Sequence, residues 1–210
     1  MKKKENIFQL LTQKPWEPSQ AKIDNEHDGA TLALSKAKLG VRTIIAVSTV
    51  IFSLMIVGYA DRMFVYDWAS MPDPWLLWVN TGVLIISSFF FYKTKVAADH
   101  KQLEKVKNGL LLIGFLAFTF LVGQLLVWQH LIKLGYYVSS NPANSYFYLF
   151  TAVHGLHLMG GLFFWGRTTT KFLKGNYNIS KLQQAIELCA TYWHFLLLVW
   201  LVLFGMMIAW

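Results

Sequence analysis

Five stretches of the chain stay apolar long enough to cross a bilayer core, which takes about 20 helical residues. They run from about Thr43 to Ala60, Trp75 to Tyr92, Gly109 to Ile132, Tyr146 to Trp165 and Ile186 to Trp210. Polar positions gather between them. The segment YADRMFVYDWASMPDP, between the first and second runs, has the Asp, Pro and Trp residues of a turn at the water interface. The pattern predicts an all-α polytopic membrane protein, a bundle of five transmembrane helices over residues 40–210, behind a polar cytoplasmic tail over residues 1–39. That tail is mixed in charge and too polar to pack a core of its own. Its apolar stretch, Ile7 to Leu11, is shorter than the hydrophobic region of a secretory signal, so it is expected to be retained. No repeat of 20–50 residues is evident, nor the paired broken helices of many transporters.

The charge distribution adds an orientation. Lys2, Lys3, Lys4, Lys14, Lys22, Lys36 and Lys38 lie before the first run. Lys93, Lys95, Lys101, Lys105 and Lys107 lie between the second and third, and Arg167, Lys171, Lys174 and Lys181 between the fourth and fifth. The other two loops carry only Arg62 and Lys133. Translocating Lys and Arg in short loops is disfavoured, so the N-terminus is expected in the cytoplasm and Trp210 on the outer side. The same distribution answers the formal net charge of +8, which would otherwise raise nucleic acid as a partner. The cations are dispersed among loops and form no binding face, so no nucleic acid is expected. Composition agrees with a membrane environment. Charged residues make up 14% of the chain against about 25% in soluble proteins, and 55% of residues are hydrophobic. The single cysteine, Cys189, excludes an internal disulfide and is read as a small apolar residue.

Ionisable side chains at membrane depth are functional candidates because burying them is costly. Asp61 and Glu187 fall at span ends, leaving His154 and His157 in the fourth run and His194 in the fifth. A spacing of three puts His154 and His157 on one helical face, and Gly160 and Gly161 beyond them suit close approach of another helix. By helical rise, His157 lies roughly 16 Å and His194 roughly 22 Å below the outer ends of antiparallel neighbours, which allows the two to face each other within about a turn. Two readings stand. The histidines are either haem or copper ligands of a stand-alone di-haem electron carrier, or hydrogen-bonding links with Tyr192, Trp193 or Thr151 as partners. The second is preferred, because a metal site also needs supporting partners behind its ligands and none is identifiable. Asn80, Ser87 and Ser88 in the second run, with Gln124 and Gln129 in the third, are likewise read as interhelical hydrogen bonders. Trp75, Trp78, Trp128, Tyr146, Trp165 and Trp210 near span ends read as an interfacial belt.

The last two runs also carry a family resemblance. Ser145 to Gly161, SYFYLFTAVHGLHLMGG, resembles the segment H-G-x-H-x-x-x-G of cytochrome c oxidase subunit III, with His154, Gly155, His157 and Gly161 at the matching positions. Tyr192 to Trp200, YWHFLLLVW, is similar to the family's Y-W-H-F-x-D-x-x-W and supplies Tyr192, Trp193 and His194. Leu76 to Ser88, which includes Asn80, resembles its L-N-T-x-x-L-x-x-S helix. The likeness runs from about Lys38 onward and fits the family's five-helix form. It departs from the pattern twice: Thr49 stands where the family often has an acid, and Leu197 stands for the Asp of the C-terminal motif.

What the resemblance implies is a non-catalytic accessory subunit of a respiratory haem-copper oxidase, in a bacterial cytoplasmic (inner) membrane. Such a subunit supports assembly, lipid binding and sustained proton-coupled reduction of oxygen by the catalytic subunit. No catalytic, metal or cofactor-binding residue is expected in this chain, and haem and copper are expected in partner subunits. The implied partners are catalytic subunit I, subunit II and phospholipids, with other respiratory complexes as a further candidate class. Accessory subunits of a quinol oxidase or a nitric oxide reductase are the alternatives within the same fold.

Overall fold

A computed structural model describes residues 36–69, 74–175 and 177–209. The chain divides into two compact units, Met1–Thr43 and Ile44–Trp210. The described part of the first is a helical opening in which Thr43 Oγ1 donates to Leu39 O at 3.0 Å. Helix α1 therefore starts at Lys36, inside the segment expected to be tail, and residues 1–35 of that segment lie outside the described residues.

The helices are α1 (Lys36–Arg62), α2 (Trp75–Asp99), α3 (Leu103–Lys133), α4 (Pro142–Leu173) and α5 (Ile179–Ala209). Each contains a window apolar enough to cross a membrane, and no strand occurs among the described residues. The protein is a multi-pass membrane protein. Several helices outrun the apolar stretches that predict them. At 31 residues α3 rises roughly 46 Å, against a hydrocarbon core of about 30 Å, so its first turns carry Lys105 and Lys107 past that core.

Local chemistry sets the helix ends. Asn141 caps α4 by accepting from Ala143 N at 3.1 Å, and Pro142 follows at the first helical position, where its missing N–H costs nothing. The Asn141 amide also donates to Ala69 O, which ties the α1–α2 connection to the start of α4. Asn178 Oδ1 accepts from Ser180 N at 3.0 Å at the start of α5. Gly135 and Gly175 take φ of +89° and +70° just past α3 and α4, a left-handed conformation that ends a helix at little steric cost. In the α1–α2 connection Arg62 and Asp67 form a two-pronged ion pair at 2.7 and 2.6 Å.

Helices α2 to α5 pack antiparallel to their neighbours. Along the α2–α5 seam, rising α2 numbers meet falling α5 numbers. Trp78 meets Phe204 at 4.9 Å between ring centroids, Trp200 donates to Thr81, Phe91 meets Trp193 at 5.2 Å, and Gln183 donates to Ala98 O. Leu84, Phe91, Phe120, Leu158, Trp193 and Trp200 are the heart of the core these four helices share. Helix α1 packs in a second cluster, where Phe52 and Tyr59 meet Phe150, Val199 and Leu203. Its outer positions Val50, Leu54 and Val57 are more than half exposed, an apolar surface that a bilayer removes from water.

Candidate functional site

The three membrane-depth histidines have different surroundings. His154 is 0% exposed and sits among aromatic rings, with Trp200 at 5.0 Å, Phe120 at 6.0 Å and Phe52 at 6.5 Å between centroids. Neither of its ring nitrogens has a partner among the described residues. His157, one turn away, bonds its own helix through Nδ1 to Val153 O at 2.8 Å and packs its ring on Phe52 at 5.1 Å. His194 pairs its Nδ1 with Ser88 Oγ on α2 at 2.5 Å, at a position that is exposed as a whole.

His157 and His194 therefore do not face each other, contrary to the expectation from helical rise alone. That calculation fixes height along a helix and leaves its rotation open. The rotation turns His157 toward α1 and His194 toward α2. The three histidines have separate environments in place of a shared contact. Among the described residues no three of His, Cys, Asp or Glu are grouped closely enough to hold a metal ion.

The α4–α5 contact is made by neighbouring atoms. Tyr192 donates to the backbone oxygen of His157 at 3.2 Å. Gly161 admits Tyr192, whose ring carbon lies 3.1 Å from where a Cβ would be, and Trp193 at 3.7 Å. Gly155 and Gly160 have nothing within 4 Å of that position, so of the adjacent pair only Gly161 allows the expected approach. Trp193 is buried against Phe91, and its indole nitrogen has no partner among the described residues. Thr151 bonds Trp128 rather than a histidine, accepting from the indole at 3.0 Å.

Asn80 does reach across helices, donating to Gln124 Oε1 and to Phe120 O, both at the long distance of 3.5 Å. Gly123 makes room for it, since a Cβ there would lie 2.1 Å from Asn80 Oδ1. Ser88 reaches His194, whereas buried Ser87 has no side-chain partner among the described residues and Gln129 is exposed. Thr49 is exposed and donates back to Ile45 O at 2.8 Å, so its hydroxyl is satisfied within α1.

Sequence reading missed several links. Trp128 and Trp165 read as interfacial, yet both indoles bond inward, Trp165 to Leu110 O at 3.1 Å. Trp200 to Thr81 at 3.0 Å is a further bond between helices. The available signal was glycine in α3: Gly109, Gly114 and Gly123 each lie where a Cβ would meet Thr94, Trp165 or Asn80. Outside the membrane, the Arg62 guanidinium beside Asp67 holds that carboxyl below the usual aspartate value.

The arrangement is a packed bundle joined by single hydrogen bonds, with polar groups spread over several levels. Comparison with known proteins agrees with the two C-terminal motifs. Residues 73–210 match the family model described as cytochrome c oxidase subunit III. The chain is 31% identical over 130 residues to cytochrome c oxidase subunit 3 of Thermostichus vulcanus, covering 61% of this chain and 63% of that one. It is 29% identical over 126 residues to the protein of the same name from Synechocystis sp. (strain ATCC 27184 / PCC 6803 / Kazusa), covering 60% and 53%. Over 134 residues it is 31% identical to cytochrome bo(3) ubiquinol oxidase subunit 3 of Buchnera aphidicola subsp. Baizongia pistaciae (strain Bp), covering 60% and 68%. The chain spans 63% of the length of the Thermostichus relative and 61% of two further relatives.

Proposed function

The chain belongs to the cytochrome c oxidase subunit III family, and from that premise we propose that it is the accessory subunit III of a respiratory haem-copper oxidase. The observation that carries the reading is the match over residues 73–210, which takes in four of the five helices. The scattered polar groups fit a supporting role. His154, His157 and His194 have three different environments and are not gathered as a ligand set. In this reading haem and copper belong to catalytic subunit I and subunit II. The present chain covers part of the catalytic subunit's surface, holds phospholipid beside it and sustains its proton uptake.

Loop charge supports a placement in a bacterial cytoplasmic membrane with the α2–α3 and α4–α5 connections inside and the end of α5 outside. A cytochrome c oxidase is the first reading. A quinol oxidase is the second, favoured by the similarity to the ubiquinol oxidase subunit of Buchnera.

Gentle detergent purification through a tag on this chain tests the proposal. A haem-bearing catalytic subunit is expected with it, and oxidation of cytochrome c or of quinol by the purified complex then separates the two readings. Purification without any haem protein, or with a haem band that stays on the isolated chain, overturns it.

A further inference from the structure

We propose that the tight turn after α1 is an anchor in the headgroup layer of the bilayer, with the Phe64 and Tyr66 rings set among lipid glycerols and the first acyl carbons. The inference needs the membrane placement of α1 and stands apart from the oxidase reading.

The depth of the turn follows from the length of the helix. The uncharged run of α1 begins after Arg42 and ends before Asp61 and Arg62. From Ile44 to Arg62 the helix rises roughly 27 Å, against a hydrocarbon core of about 30 Å, so its last residues come out at the edge of that core. There the chain turns twice in succession. Val65 N donates to Arg62 O at 3.2 Å, and Trp68 N donates to Val65 O at 3.0 Å. Phe64 and Tyr66 are therefore kept close to the level at which α1 ends, where headgroups lie.

Phe64 is 81% exposed and Tyr66 99% exposed. In water, rings displayed this way forgo the stabilisation that burial of apolar surface gives, and the turn is not free to fold them away. Arg62 and Asp67 clasp its two ends at 2.7 and 2.6 Å, the Trp68 ring meets Tyr59 edge-on at 5.0 Å, and Ala69 N donates to Asn141 Oδ1 at 3.4 Å. The same clasp narrows what can cover the rings. Arg62 and Asp67 are the only charged residues from 62 to 68 and they neutralise each other, so the turn offers apolar rings and one hydroxyl without a charge to be matched. A non-directional surface of this kind suits the membrane interface, where an aromatic ring keeps an apolar body in lipid and a polar tip in water. It also prolongs the outward apolar stripe of Val50, Leu54 and Val57. Helical spacing carries that stripe from Val57 to Phe64, and the bond from Met63 N to Tyr59 O at 3.1 Å keeps the chain on a helical course up to the residue before it.

The test uses a nitroxide label. Cys189→Ser removes the single cysteine, and Phe64→Cys, Tyr66→Cys or, for reference, Ser139→Cys in the exposed α3–α4 connection then carries the label. The tagged full-length chain, with the subunits that co-purify, is placed in vesicles of phosphatidylcholine and phosphatidylglycerol. Collisions with oxygen, which dissolves in the bilayer, and with a water-soluble nickel chelate supplied on both sides are read by power saturation. Both labels in the turn are expected to keep their oxygen collisions and lose nickel collisions, giving an oxygen-to-nickel ratio several-fold above that at Ser139. A ratio equal to that at Ser139 overturns the proposal, because the turn then stands in water. Loss of collisions with both reagents also overturns it, because protein then covers the rings.

Discussion

An imidazole has two nitrogens to satisfy, and in hydrocarbon each one left bare is costly. The three histidines at membrane depth meet this requirement unequally, which separates the consequences of replacing them. His154 has no partner at either nitrogen among the described residues, so His154→Leu exchanges an unsatisfied polar group for an apolar one. Its effect on unfolding in detergent should stay within about 1 kcal/mol and can be stabilising. Spacing alone reads the His157 side chain as a hydrogen-bonding link between helices. In the structure the link runs from Tyr192 to the backbone oxygen of His157, which any side chain at 157 retains. Tyr192→Phe should therefore cost about 0.6 kcal/mol, the average for such a bond, and His157→Leu less. Equilibrium unfolding in mixed micelles checks the order; a larger loss for His157→Leu would contradict it.

Between helices, the closest approaches are made by glycines and large rings. At Gly114 a Cβ would lie 2.2 Å from the Trp165 ring, whose indole is anchored to Leu110 O at 3.1 Å. Gly114→Ala must push that ring aside, and a loss of about 1–3 kcal/mol is expected. Gly160→Ala meets nothing within 4 Å and, by removing the flexibility of glycine in a helix, should be neutral or stabilising by about 0.5–1 kcal/mol. Thermal unfolding of the two variants should move in opposite directions or differ clearly in size. The connection between α1 and α2 responds to acid instead. The Arg62 ion pair lowers the Asp67 pKa, so the pair's contribution is fully present above the ordinary aspartate value of about 3.9 and is lost as pH falls through the depressed one. Asp67→Asn should abolish that acid-range dependence, read as protease access to the connection between pH 2 and pH 6; an unchanged profile would show that another group controls it.

At the level of the whole molecule, two expectations follow from the proposed function. With the positive loops inside, a reporter fused after Trp210 should be active only outside the cytoplasm, and activity inside would overturn the orientation. If the chain supports the oxidase without holding its redox centres, deleting it should leave the haem and copper spectra of the remaining complex intact while activity declines over many turnovers. Immediate loss of a haem or copper signal from an otherwise assembled complex would assign a ligand to His154, His157 or His194.

Hydrophobic length is a local property, and the sequence by itself determined the five spans, the helical class and the identity of the motif-bearing segments. Trp75 opens both the second apolar run and α2, directly after Pro74, whose extended backbone stands outside the helix. Helix overshoot was less legible, since backbone hydrogen bonding continues through basic residues once they leave the hydrocarbon, as α4 does to Leu173. The pairing of polar side chains depended on the rotation of each helix and on the bulk of its neighbours, which the spacing of residues does not encode. Asn80 met Gln124 because Gly123 left space, Ser88 met His194 because both turned to the α2–α5 seam, and Trp128 and Trp165 turned inward to Thr151 and Leu110. Sequence therefore specified which polar groups enter the membrane, and tertiary packing decided which of them meet, because a helix fixes the height of a side chain while only its neighbours fix the direction in which it points.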